Sequence, residues 1–193
     1  KVKVNGAVTF DYSTQVSNQD IIICEGSIVN QLPESEVFLL NKPKGYISTS
    51  YDPAGRKKVI DLVKTKNRLF TVGRLDRDTT GVILLTNDGD LANKLMHPKN
   101  KIERIYLVAT KIDIIYSNYM SLESGIYIER NFFVKGKIKR LGKKNGLILW
   151  RVVLLEGKNH EVKRIFKYFE STVVHLHRES FAGLSGGDLP IGK

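Results

Sequence analysis

Apolar residues along this chain fall into short runs broken by glycine, proline and polar turns, the pattern of strands rather than of long helices. Val2-Lys3-Val4 and Val8-Thr9-Phe10 flank Asn5-Gly6, a strong hairpin signal, and Ile21-Ile22-Ile23 adds another short strand. Gln31-Leu32-Pro33-Glu34-Ser35 interrupts the pattern as a linker, which divides the chain into residues 1–33 and 34–193. In the second part, residues 37–40, 46–49, 69–72, 82–85, 104–108 and 172–177 read as strands, with a turn at Lys42-Pro43-Lys44-Gly45. Residues 90–97 suit a helix that turns Leu91, Ala92 and Leu95 inward and stops at Pro98. A short helix falls within 112–124, a strand pair or turn within 125–133, and a hairpin joins 136–141 to 147–155 across a five-residue loop. Val162, Ile165, Phe166 and Phe169 then recur at helical spacing behind an N-cap at Asn159. The result is a strand-rich α+β chain.

Length and charge narrow the function. A chain of 193 residues can bury one full core and carry a small appendage. The net charge of +11 calls for a polyanionic partner, and nucleic acid is favoured over membrane because no basic amphipathic anchor stands out. Between residues 134 and 167 there are 11 Lys or Arg against 2 Glu, so the excess is concentrated. Cys24 is alone, which excludes an internal disulfide framework and a cysteine-based zinc site and points to a reducing compartment. His160, His175 and His177 lack a metal-ligand spacing. No run approaches the roughly 18 apolar residues of a membrane span, and no signal-peptide pattern opens the chain. The expectation is a cytoplasmic protein, whose first residue, Lys1 instead of Met, suggests a trimmed beginning.

Candidate chemistry centres on residues 73–89, Gly-Arg-Leu-Asp-Arg-Asp-Thr-Thr-Gly-Val-Ile-Leu-Leu-Thr-Asn-Asp-Gly. An apolar run ends at Gly73, a loop with two arginines and two aspartates follows, and a strand resumes after Gly81. The Asp76 carboxylate is thus expected where a sheet core meets solvent, with Arg74 and Arg77 favouring its ionised form. A surface loop knitted by Arg-Asp pairs fits the same charges. On the strand at 104–108, period two sets Arg104, Tyr106 and Val108 on one face, where Tyr106 also suits an ordinary core position. Lys163, Arg164 and Lys167 fall off the apolar stripe of the last helix, which alone describes a solvated face. Two glycine-containing basic loops, one with Arg56 and Lys57 and one with Lys143 and Lys144, suit phosphate contact; the second equally suits a solvated hairpin tip.

Gly73-Arg74-Leu75-Asp76, two residues, Thr79, one residue, Gly81, an apolar run and Thr86-Asn87-Asp88-Gly89 together resemble the signature of the RsuA/RluB family of ribosomal RNA pseudouridine synthases. Three further blocks follow the family order. These are Asn41-Lys42-Pro43-Lys44-Gly45-Tyr46, Arg104-x-Tyr106-x-Val108 for Lys-x-Tyr-x-Val, and residues 156–166 for Glu-Gly-x-x-x-Gln-Val-(Arg or Lys)-Arg-Met-Phe. The loop Asp52-Pro53-x-Gly55-Arg56-Lys57 is most similar to the RluB branch, which acts on large-subunit rRNA. Val2-Lys3-Val4-Asn5-Gly6 resembles the closing part of an S4 RNA-binding domain, although a plain N-terminal hairpin fits as well.

This resemblance implies the pseudouridine synthase fold, α+β with a mixed, largely antiparallel central sheet, preceded by a partial S4-like segment. It implies Asp76 as the catalytic carboxylate, Tyr106 against the target uracil and Lys163 paired with Asp76. Arg74 would occupy the space left by the extruded base. The expected RNA contacts are Arg74, Arg77, Arg56, Lys57, Arg104, Lys143, Lys144, Lys158 and Arg164. The partner is ribosomal RNA, the protein a monomer, and no metal or other cofactor is needed. Two departures from the family pattern bear on the site. Arg104 replaces lysine, and Glu161 replaces glutamine, where it must point to solvent or another basic residue if it is not to share Lys163. The other readings are a hydrolytic nucleosidase using Asp76 and Asp78, a noncatalytic rRNA-binding or assembly protein, and a synthase acting on small-subunit rRNA or tRNA.

Overall fold

A computed structural model describes residues 1–17, 19–29 and 33–193. It separates into two units, Lys1–Glu34 and Ser35–Lys193. Gln31 and Leu32 of the expected linker lie outside the described residues.

The first unit is a four-stranded antiparallel sheet built from β1 (Val2–Val4), β2 (Ala7–Thr9), β3 (Ile22–Cys24) and β4 (Ser27–Ile28), in the order β2-β1-β3-β4. Asn5 and Gly6 both take positive φ, 49° and 86°, as a two-residue hairpin turn matched to strand twist demands. Cys24, half-buried in β3, is a free thiol.

The second unit contains β5 (Val37–Lys42), β6 (Phe70–Val72), β7 (Thr80–Thr86), α1 (Gly89–Met96), β8 (Arg104–Thr110) and α2 (Tyr116–Ser124). Then come β9 (Ile126–Glu129), β10 (Phe132–Val134), β11 (Gly136–Lys144), β12 (Leu147–Leu154), α3 (Glu161–Tyr168), β13 (Val173–Phe181) and β14 (Leu184–Ser185). The main sheet runs β11-β12-β8-β13-β7-β5, with β6 beside β7 and β14 beside β13. Only the β7–β13 pairing is parallel among these, so the sheet is mixed and largely antiparallel, as the family resemblance implies. No helix among the described residues is long and apolar enough to cross a membrane.

Instead of one core, the sheet divides two. Ile83 and Leu85 of β7 face one cluster with Val108, Trp150, Ile165 and Phe166, while Val82 and Leu84 face another with Val72, Ala92 and Phe181. A strand buried on both faces reads as a continuous apolar run, which is why residues 82–85 show no alternation. Trp150 is fully buried and donates its indole N–H to Thr110 Oγ1 at 2.9 Å.

The register of β7 creates an opening. Along one edge β5 pairs with Gly81 to Thr86; along the other, β13 meets Thr80 and Gly81 while β6 meets Leu84 to Thr86. The loop from Gly73 to Thr79 leaves the sheet where β6 gives way to β13, so its side chains collect at a gap in the sheet edge. Gly81 is required there for a steric reason. A Cβ would overlap the Arg178 backbone, and φ is +104°.

Three local expectations are corrected. The 136–155 hairpin has a two-residue turn at Asn145-Gly146 instead of a five-residue loop, because Gly142 sits at a bulge and β11 continues to Lys144. Residues 46–49 contribute only an isolated bridge from Ile47 to Lys58. The last helix is capped by His160 in the left-handed region, not by Asn159, and has no side-chain cap bond.

Candidate active site

The loop bearing Asp76 is held from below by two residues, Lys42 at the end of β5 and Ser48 in the segment that follows. Lys42 is fully buried at the strand end and its ammonium donates to the carbonyls of Thr79 (2.7 Å), Pro43 (3.2 Å) and Arg77 (3.3 Å). Burial pushes its pKa down to about 8, against the pull of Asp76 and Asp78. Ser48 brackets Leu75, its hydroxyl donating to the carbonyl at 2.9 Å and accepting from the amide at 3.1 Å. Thr79 N–H closes the turn onto the Asp76 carbonyl. The carboxylate is therefore presented from a backbone fixed on both sides, which limits the entropy lost when substrate binds.

Two groups at the start of α3 meet that carboxylate. Lys163 Nζ donates to Asp76 Oδ2 at 2.6 Å, and His160 Nδ1 lies 3.1 Å from the same oxygen. Oδ1 has no hydrogen bond to another described residue. Partial burial alone raises the Asp76 pKa, but the Lys163 bond and charge, with a smaller contribution from His160, outweigh it and hold the carboxyl below the ordinary 3.8. Asp76 is thus an ionised acceptor that lines the cleft at neutral pH, with one oxygen anchored and the other without a hydrogen bond among the described residues.

Opposite it, β8 and β13 supply the floor. Arg104 and Tyr106 share a face of β8, and the β8–β13 register sets Arg178 beside Tyr106. All three are buried, and all line a cleft of about 750 Å³ together with Arg74, Asp76 and His160. A space of that size lies within the roughly 300–1,000 Å³ of small-ligand sites. A smaller recess beside it brings Lys163 to Asp76 and Tyr106.

Asp76, Tyr106 and Lys163, far apart in sequence, converge here. Arg56, Arg74, Arg77, Arg104 and Lys158 also line the cleft. Their engagements differ: Arg56 forms a two-pronged pair with Asp52, Arg104 Nη1 donates to the carbonyls of Ile102 and Leu155, and Lys158 Nζ bonds the Phe133 carbonyl and pairs with Glu156. The partners that ionise Asp76 are Lys163 and His160 instead of Arg74 and Arg77. Lys57, Lys143, Lys144 and Arg164 lie outside the cleft lining. Lys57 sits 5.9 Å from the Tyr46 ring centroid, and Arg164 is paired with Glu129 and stacked 3.4 Å from the Phe132 centroid. Lys143 and Lys144 lie at the end of β11, both exposed. Asp78 is exposed and outside the lining as well.

Glu161 forms no ion pair with Lys163 among the described residues, and it does not face solvent. It is 5 % exposed, and its Oε2 accepts the Lys158 backbone N–H at 2.9 Å, closing the loop before α3. Burial raises its pKa, more than that hydrogen bond and Lys158 lower it.

Sequence patterns alone do not reveal His160, Lys42 and Arg178 as parts of the site. His160 stands out in the chain only as a poorly spaced metal ligand; its place in the block around Lys163 is the available signal. Lys42 reads as part of a turn, and nothing in a polar residue ending an apolar run announces full burial. Arg178 sits in Val-Val-His-Leu-His-Arg-Glu-Ser-Phe, where polar residues occupy both faces and hide the buried one.

Residues 36–168 match the model of the RNA pseudouridylate synthase family. A ribosomal large subunit pseudouridine synthase B of Bacillus subtilis is 40% identical over 196 residues, covering 97% of this chain and 80% of its own. A chloroplast protein of Arabidopsis thaliana described as a putative ribosomal large subunit pseudouridine synthase is 35% identical over 214 residues, covering all of this chain and 51% of its own. A crystal structure of a pseudouridylate synthase superposes with a TM-score of 0.76 at 28% identity, covering all of this chain and 83% of its own. The convergence of Asp76, Tyr106 and Lys163 in one cleft therefore sits on the fold these proteins share, and the chain belongs to the RNA pseudouridylate synthase family.

Proposed function

We propose that this protein isomerises a uridine of large-subunit ribosomal RNA to pseudouridine, with Asp76 as its catalytic carboxylate. The observation that carries the site assignment is the Lys163–Asp76 contact of 2.6 Å at the mouth of a cleft floored by Tyr106. In this reading Asp76 Oδ1 bonds to C1′ of the ribose as the C1′–N1 bond breaks. Oδ2 stays with Lys163 and His160, so the attacking oxygen keeps its charge while the carboxylate keeps its aim. The freed uracil turns over Tyr106, C5 bonds to C1′, the Asp76 bond is released, the C5 proton leaves and a proton ends on N1. Composition is unchanged and no electron acceptor is consumed.

The target must leave its stack, at a cost of a few kcal/mol, and Arg74, exposed at the cleft mouth, is assigned to the vacated space. Phosphate contact is assigned to Arg56, Arg77 and Lys158 at the rim and to Lys57, Lys143, Lys144 and Arg164 beyond it. Residues 1–33, proposed as an S4-like tail, hold Lys1 and Lys3 against Asp11, Asp20 and Glu25, so the electrostatic attraction belongs to the second unit. The working unit is assigned as a cytoplasmic monomer.

Asp76→Asn keeps the size of the side chain and removes its nucleophilic charge. Pseudouridine formation in a large-subunit rRNA transcript is expected to fall at least about 10⁴-fold by analogy with loss of an essential nucleophile, with RNA affinity within a few-fold. Turnover comparable to the unsubstituted protein ends the assignment, and pseudouridine mapping in cells with and without the gene identifies the target.

A further inference from the structure

Arg178 is a cation with no ion-pair partner among the described residues, set at the floor of the cleft. It is 2 % exposed, its Nε donates to the Val82 carbonyl at 2.7 Å, and its guanidinium lies 4.8 Å from the Phe181 ring centroid. Nη2 is buried and finds no acceptor among those residues. Its β8 neighbour is Tyr106, whose side chain interacts with it favourably, and the next cation on that face is Arg104, which opposes it. Desolvation lowers its pKa from the arginine value, yet guanidinium remains charged across the working range.

Burying such a charge without a carboxylate is costly. The contacts with Val82, Tyr106 and Phe181 orient the guanidinium but supply no formal countercharge, and so give no reason to incur that cost. A developing anion in the cleft does give a reason. When C1′–N1 breaks, the bond's electron pair leaves with the base and spreads over N1, O2 and O4; it returns to a bond when C5 attaches to C1′. Between those events the base is an anion next to Tyr106.

Building on the pseudouridine synthase reading above, we propose that Arg178 is a further catalytic residue, a fixed donor to a uracil carbonyl oxygen that stabilises the uracil anion formed on glycosidic cleavage. Its role is electrostatic preorganisation: the donor is already desolvated, already oriented by Val82 and Phe181, and gains most when the charge appears. Gly81 contributes by letting β13 approach closely enough for Arg178 to reach the floor. The stabilised group is the base, so the residue distinguishes base chemistry from backbone binding.

The experiment uses the full chain and large-subunit rRNA transcripts made with uridine, 2-thiouridine or 4-thiouridine. Pseudouridine or its thio analogue is measured by mass spectrometry under single turnover, with affinity and salt dependence measured in parallel and folding monitored by thermal melting. Arg178→Gln should slow the chemical step about 100-fold or more, the scale of losing one oxyanion donor, with the dissociation constant within about threefold. Arg178→Lys should recover part of the rate. One thio substitution, which weakens the acceptor, should slow the unsubstituted protein and lose most of that effect in the variant. The variant-to-parent ratio cancels any influence of sulfur on RNA folding. If Arg178→Gln does not fold, Arg178→Lys carries the same comparison. A normal rate in Arg178→Gln, equal thio effects in parent and variant, or weakened affinity with a shallower salt slope and an intact rate would each overturn the proposal; the last would mean that Arg178 binds a phosphate. An unsubstituted protein that makes no pseudouridine would instead defeat the reaction assignment itself.

Discussion

At the scale of single residues, the Asp76 carboxylate shows how position sets chemistry. Its folded pKa lies below 3.8, so the stability it contributes is present above that value and is lost as pH falls through the lowered one. Removing the ammonium in Lys163→Met leaves burial as the main influence, and burial acts upward. The Asp76 titration, followed by carbon NMR of the labelled carboxyl, is expected to move up, and kcat to fall more than RNA affinity. An unmoved titration would mean that His160 suffices. Glu161 has the opposite sign: its folded pKa is raised, so it weakens the fold progressively as pH rises from 4.5 through that higher value. Glu161→Gln retains an acceptor for the Lys158 N–H without the buried charge. The variant should melt higher than the parent at pH 8 and nearly equally at pH 4, with activity neutral or slightly increased; lower melting at pH 8 would show that the charge is needed. Much of this residue-level picture is legible in the chain. Asp76, Tyr106 and Lys163 lie in blocks whose resemblance to a known signature also implies their roles, whereas nothing local shows that Lys42 and Arg178 are polar groups taken inside by tertiary packing.

Among the elements, the place of β13 between β7 and β8 matters most, because its register with β8 sets Arg178 beside Tyr106 and its short pairing with β7 leaves the gap from which Asp76 emerges. Gly81→Ala drives a methyl into the Arg178 backbone at a positive φ. A loss of about 1–3 kcal/mol or more is expected, as for other overpacked sites, read as a lower urea midpoint, and turnover should fall with it. An unchanged midpoint would show that β13 can shift at no cost. The apolar runs make most of the strands in this sheet visible in advance, but not their order. Nothing local in residues 80–86 says that one edge is shared by two partners. The 136–155 hairpin is recognisable from sequence but its turn is not, since Gly142 looks like loop and instead pairs with Leu149 beside a bulge in β11.

Across the whole molecule, a positive second unit meets a polyanion. RNA affinity is expected to fall steeply with salt, and replacing Lys143 and Lys144 with Gln should reduce the log-log slope by about 0.7–0.9 for each phosphate that is no longer neutralised. An unchanged slope would remove the end of β11 from the interface. The charge concentration over residues 134–167 is plain in the sequence, whereas which of its lysines and arginines are already engaged is not: Arg164 and Lys158 look alike on paper until Glu129, Glu156 and Phe132 are in place. The chain also carries a single cysteine and a single tryptophan, and the fold puts them in different units, Cys24 in the small sheet and Trp150 in the core of the large one. Each unit therefore has its own built-in optical handle. Indole emission reports the catalytic core alone, and a dye on the thiol reports the N-terminal sheet alone. Energy transfer between them can follow the spacing of the two units as RNA is captured and released, without a single engineered residue.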